Sequence, residues 1–198
     1  MTATLKADAM NPIYHRRSVR SYLPDPVLRE SVEKLLRAAV QAPTAMHREP
    51  WAFAVVQNRE TLRRYSERAK AILLTQQEAV HDLSPSTLAL RDRLQDPAFD
   101  IFYGAGTLVA IGYEAHGPYV DADCWLAAQN LMLEATAEGL GSCCIGFALP
   151  LLNTADVKQE LGLPPQGGVV AAVIVGVPVD IPTGPGERKP PKVRAWLT

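Results

Sequence analysis

Apolar residues recur along this chain in two rhythms, and the changes of rhythm mark its elements. Leu28, Val32, Leu35, Leu36 and Ala39 fall at helical spacing. Ahead of them Asp25 offers an N-cap and Pro26 suits the first helical position, so a helix is expected from Asp25 to just before Pro43. Short apolar runs of strand character lie at Trp51–Val56, Thr107–Tyr113 and 169–177. Residues 121–138 read as a helix closed by Gly139, yet Ala122, Trp125, Leu126, Leu131, Met132, Leu133 and Ala135 point in nearly every direction. Such a helix needs cover all round, either from a second subunit or from other helices of the same chain. A further helix over 154–161 stops at Gly162 and precedes the last strand. Elements in this order make an α+β layer architecture.

With no internal repeat, low-complexity tract or Gly/Ser linker, the 198 residues read as one domain, a core over 13–179 followed by a tail over 180–198. The tail carries Pro182, Pro185, Pro190 and Pro191 and ends VRAWLT. Proline-rich chain does not pack on itself, and a free polar tail has no need of Trp196 and Leu197. The tail is therefore expected to lie extended against a partner subunit.

Composition narrows the setting. Hydrophobic residues make up 47% and charged residues 21%, enough for a sizeable core, and the net charge is −1. No global basic field draws such a chain to nucleic acid or to anionic membrane. Three cysteines, two of them adjacent at Cys143 and Cys144, do not build a disulfide framework, and no Cys/His spacing suggests a metal. The start MTATLKADAM lacks a signal-peptide pattern, and no run reaches the roughly 18 apolar residues of a membrane span. A cytoplasmic protein is expected, with neither nucleic acid nor membrane as partner.

The chain has no P-loop, and neither the GAG at 104–106 nor the GLG at 139–141 continues as G-x-G-x-x-G, so a Rossmann dinucleotide site is not expected. Four other features carry chemistry. Arg16-Arg17-Ser18-Val19-Arg20 packs three guanidinium groups and a hydroxyl into five residues. Arginine forks bind phosphate oxygens in pairs, although such a run also serves as a solvated basic turn. Residues 42–51 (APTAMHREPW) form a polar loop between helix and strand. Residues 139–147 (GLGSCCIGF) hold Gly141 and Gly146 around a short apolar segment, which suits either close approach to a flat ligand or simple turns. Arg188-Lys189 is a basic pair in the tail.

In this order and at these separations the features resemble the nitroreductase family: RRSxR near the N-terminus, then APS-x-x-N-x-Q-P-W, then a buried helix like DADCWLAAQNLMLEA running into GLGSC-x-I-G-F, then a strand ending VGVP and a basic residue near the C-terminus. The resemblance spans roughly residues 13–196, and 65–97 aligns with nothing. It implies a central mixed or antiparallel sheet flanked by helices, and a homodimer with a domain-exchanged C-terminal tail. FMN would lie in a groove at the dimer interface. The phosphate and ribityl chain would lie against Arg16, Arg17 and Ser18, with Arg188 and Lys189 completing the phosphate site. Arg20 would sit by N1 and O2 of the ring, where a fixed cation stabilises the negative charge that reduction builds.

By the same resemblance, Pro43, Thr44, Ala45 and His47 would contact the flavin of the other subunit. Two positions depart from the pattern, His47 for the usual Asn and Glu49 for the usual Gln, amides that hydrogen-bond the ring or ribityl chain. Cys143, Cys144, Ile145 and Gly146 would run along the ring, with the backbone N–H of Ile145 or Gly146 directed at N5. The adjacent cysteines read as small buried apolar residues, since a disulfide between neighbours closes a strained ring. The implied reaction passes a hydride from NAD(P)H through flavin N5 to a small electron-poor acceptor, such as a nitroaromatic or a quinone. It requires no catalytic nucleophile or general base. The same scaffold also suits a dehalogenase, a dehydrogenase or a non-catalytic FMN-binding protein. Residues 65–97 are expected to cover the flavin and set specificity.

Overall fold

The computed structural model describes residues 11–80, 84–181 and 188–197. Strands β1 (Trp51–Val56), β2 (Thr107–Tyr113), β3 (Gly141–Cys144) and β4 (Gly168–Gly176) form one sheet in the order β1-β2-β4-β3, antiparallel at every pairing. Helices α2 (Arg29–Ala39) and α5 (Val120–Ala137) cover one face, and α3 (Arg59–Val80), α6 (Leu149–Leu152) and α7 (Ala155–Glu160) cover the other. The short α1 (Pro12–His15) packs on α5, and α4 (Pro85–Gln95) on α3.

This layering explains why β2 and β4 are apolar without a break. Successive strand side chains point to opposite faces, and here both faces are dry. Leu108, Ala110, Ala172 and Ile174 join the core under α3 and α6, while Val109, Ile111, Ala171, Val173 and Val175 join the core under α5. The register slips between Ile111 and Gly112. At that point a Cβ on Gly112 would lie 2.0 Å from the Gly168 carbonyl oxygen, so the bulge requires glycine.

Several boundaries differ from the sequence expectation. Helix α2 starts at Arg29, with no side-chain cap, rather than at Asp25. The Val27 N–H donates to Thr107 Oγ1 at 3.0 Å, and the Val27 carbonyl accepts from Gln57 Nε2 at 2.6 Å. Tertiary partners for both backbone groups hold residues 25–28 out of the helix, overriding the Asp-Pro start signal. The last strand closes at Gly176, beyond which Tyr22 and Pro178 bridge. Helices α3 and α4 and strand β3 were not anticipated. Their signals existed: the Asn58 side chain accepts from Thr61 N at 2.9 Å, and Ser84 Oγ accepts from Thr87 N at 3.3 Å with Pro85 at the first helical turn.

Helix α5 meets the all-round expectation only in part. Cys124, Ala127, Ala128, Leu131 and Ala135 are buried against the sheet and α2, whereas Trp125 and Leu126 are each 44% exposed within the single chain. No helix of the described residues is long and apolar enough to cross a membrane.

Candidate functional site

The basic N-terminal segment reaches its place through one narrow contact. After α1, capped by the Asn11 side chain on Ile13 N, the chain turns and lies against β3. Ser18 bridges Ser142, and Val19 N donates to the Ser142 carbonyl at 3.1 Å. The approach is so close that a Cβ on Gly141 would stand 2.9 Å from Val19 Cβ. From the other side, the Tyr22 hydroxyl donates to the Val19 carbonyl at 2.7 Å. Burial, with the neighbouring Cys143 adding to it, pushes the Tyr22 pKa up, so this phenol stays a donor.

Arg16, Arg17 and Ser18 are half-buried along this stretch, and Arg20 is exposed at its end. Arg17 Nη1 donates to the Tyr14 and Arg16 carbonyls at 2.9 and 2.8 Å, which ties part of its guanidinium to the local turn. Arg20 opens into a cavity of about 410 Å³ whose floor is the backbone of 143–147 and whose other wall is Arg93 and Tyr103. Arg20 lies 5.9 Å from the Tyr103 ring centre. No acidic side chain of the described residues lines this cavity.

The floor is sharply defined. Ile145 N donates to the Ala172 carbonyl at 2.8 Å, so of the two expected amides Ile145 is committed to the sheet. Gly146 is exposed, with open space where a Cβ would stand, and its N–H has no partner among the described residues. The thiols are not reactive groups here. Cys143 is buried; burial and Cys143 push the Cys144 thiol up, against a smaller downward pull from Arg16. Cys144 Sγ rests 3.6 Å from Met132 Sδ, and Cys124 is pushed up to about 12 by burial and the nearby Asp121 and Asp123. All three are free and act as small apolar side chains, as the sequence suggested for the adjacent pair Cys143 and Cys144.

The 42–51 loop stands elsewhere on the chain, at the start of α5. Ala45 N donates to the buried Asp123 carboxylate at 3.2 Å, and Glu49 N donates to Thr44 Oγ1 at 3.3 Å. Met46, His47 and Glu49 hold φ of 58°, 51° and 46°, three left-handed residues without a glycine among them. Such strain persists only where the surroundings impose it. Pro43, Thr44, Ala45 and His47 do not line the Arg20 cavity within one chain. In the tail, Arg188 and Lys189 are exposed, as is everything to Leu197.

The structure therefore brings together Arg20 and the 143–146 backbone, and sets the Arg16–Ser18 turn beside them. Sequence reasoning missed Arg93, Tyr103 and Phe147, which line the same cavity.

The protein is thus an α+β scaffold with a cationic cavity over an open backbone amide. Residues 13–177 match the Nitroreductase family, and the chain belongs to it. The NADH dehydrogenase of Thermus thermophilus is 29% identical, over 91% of this chain and 92% of its own length. The FMN reductase (NAD(P)H) of Bacillus subtilis is 25% identical, over 87% of this chain and 67% of its own. Among solved structures, a nitroreductase with bound FMN from Bacteroides fragilis superposes with a TM-score of 0.75 at 26% identity, covering 96% of this chain and 98% of that one.

Proposed function

We propose that this chain is a cytoplasmic, homodimeric FMN-dependent oxidoreductase that passes a hydride from NAD(P)H to a small electron-poor acceptor, a nitroaromatic or a quinone. The observation that carries the reading is the juxtaposition of a cation, Arg20, with the open N–H of Gly146 on one cavity. These residues fit the cofactor. An unpaired amide beside open space offers a hydrogen bond to a flat ring, and a guanidinium at the rim offers a counter-charge for it. Arg16, Arg17 and Ser18 would hold the phosphate, joined by Arg188 and Lys189 from the tail.

FMN bound there would supply the hydride-transferring centre. The chain's own residues would do the rest: Gly146 would orient the ring, Arg20 would stabilise negative charge at its edge, and the 143–147 floor would exclude water from one side, leaving the other open to donor and acceptor. Among the described residues neither cavity thiol is poised as a nucleophile or general base, since Cys143 is buried with its Sγ on the Cys144 carbonyl, and burial raises the Cys144 thiol, which rests on Met132 Sδ.

The dimer reading draws support from apolar groups that one chain leaves uncovered: Tyr14, Met46, Trp125, Leu126, Trp196 and Leu197. A second copy covering them would bring the strained 43–47 loop and the tail to the cavity of its partner. The test is the visible spectrum of the purified protein. It should be yellow and release FMN on denaturation, and oxidise NAD(P)H when a quinone is added. A colourless protein that takes up no FMN overturns the proposal.

A further inference from the structure

The cavity holds one more cation than the flavin reading uses. Arg93 comes from α4, within the stretch whose sequence aligned with nothing, and its side chain is exposed. Its guanidinium stacks 4.4 Å from the Phe99 ring centre and 5.7 Å from that of Tyr103, and Nη2 donates to the Tyr103 hydroxyl at 3.3 Å. It forms no ion pair among the described residues. A guanidinium carries five N–H donors, and the tyrosine occupies one.

The platform beneath it is firmly built. Tyr103 holds a left-handed φ of 55°, a conformation that a bulky residue adopts only when held there. Asp100 holds it: its two carboxylate oxygens accept from Phe102 N and Gly104 N, each at 2.9 Å. Ser66 Oγ accepts from Ile101 N at 3.0 Å. The buried Lys70 donates to the carbonyls of Phe99 at 2.9 Å and Asp96 at 3.3 Å, which pins the turn to α3. Both rings that carry Arg93 are thus fixed by the backbone that presents them.

Arg20 and Arg93 flank the same Tyr103 ring, and no carboxylate of the described residues lines the cavity to offset them. Two like charges facing a partly enclosed space favour any anion that enters it. In the proposed function Arg20 meets the edge of the cofactor, which leaves Arg93 at the mouth for the second ligand. We infer that Arg93, seated on Phe99 and Tyr103, selects acceptors that are aromatic and bear a carboxylate or comparable anionic group. The guanidinium fork takes the anion in a paired contact, and Tyr103 and Phe147 flank the ring. This inference rests on the reading of the cavity as a flavin slot.

The experiment uses the flavin-loaded protein and a matched pair of redox-inert probes, benzoate and benzamide, whose binding is read as a perturbation of the flavin absorbance. The wild type should bind benzoate more tightly than benzamide. Arg93→Gln should weaken benzoate roughly ten- to a hundredfold, the range for loss of a charge-assisted contact, and leave benzamide and FMN content as they were. Arg93→Lys keeps the charge without the fork and should retain part of the preference. Equal binding of the two probes by the wild type, or an equal loss of both in Arg93→Gln, overturns the inference. So does loss of FMN from Arg93→Gln, which would assign Arg93 to the cofactor, or slower reduction by NAD(P)H with benzoate binding intact, which would assign it to the donor. A protein that never binds flavin sinks the function itself instead, and the spectrum separates that outcome from the others.

Discussion

Arg16 and Arg20 are four residues apart in the same short stretch, yet their surroundings assign them different work. Arg16 is half-buried beside Cys144, whereas Arg20 stands exposed on the cavity rim near Tyr103. Under the proposed function, Arg16→Ala removes a charge-assisted hydrogen bond to phosphate, worth about 1.5–3 kcal/mol, and so should loosen FMN roughly ten- to a hundredfold. Arg20→Ala should instead lower the flavin midpoint potential and slow reduction by NAD(P)H, with FMN largely retained. Measuring FMN affinity and potential on both variants separates the roles. If Arg20→Ala sheds FMN and leaves the potential of the remaining holoenzyme unchanged, Arg20 is a phosphate ligand and its placement at the ring edge is wrong.

At the level of elements, the site depends on how closely the 16–20 segment lies on the edge strand β3. Gly141 makes that approach possible, because any side chain there would collide with the buried Val19. Gly141→Ala should cost about 1–3 kcal/mol of stability, as overpacking typically does. It should also weaken FMN binding, since pushing Val19 off β3 carries Ser18 and Arg20 with it. Thermal unfolding and a flavin titration check both effects. Normal stability with normal flavin affinity would show that the segment is held by the Tyr22 hydroxyl and its flanks rather than by this contact. Helix α5 works in a similar way for the second loop, through the buried Asp123 carboxylate that accepts from Ala45 N and keeps the strained 46–49 turn in shape.

For the whole molecule, the uncovered groups set the expectation. Trp125 and Leu126 form an apolar step on α5, and Trp196 and Leu197 are 82% and 95% exposed, more than a lone protomer would be expected to leave in water at these positions. Obligate interfaces resemble a core cut in two. The wild type should therefore sediment as a dimer at micromolar concentration. Leu126→Glu should shift it toward monomer while leaving the helix content seen by circular dichroism intact, because Leu126 is half open in the protomer and its loss leaves no internal cavity. A wild-type monomer with flavin still bound would defeat the dimer reading.

Much of this protein was legible in its linear pattern. Three strands appeared as apolar runs, because both faces of the sheet are covered and strand side chains alternate between them. The 121–138 helix stood out by its lack of a polar face, although one chain buries only one side of it and leaves Trp125 and Leu126 half open, and RRSVR and GLGSCCIGF stood out by residue type alone. Other features depended on distant partners. Thr107 and Gln57, not Asp25, decide where α2 begins, and Ala172 decides that the open amide is that of Gly146 rather than Ile145. Arg93 meets Phe99 and Tyr103 only because Lys70, Ser66 and Asp100 fold the intervening turn back on α3. Local sequence determines which segments can be helix or strand, since that choice rests on periodicity and nearby caps. Which amide stays unpaired, and which cation faces the cavity, were decided by tertiary hydrogen bonds between residues far apart in the chain.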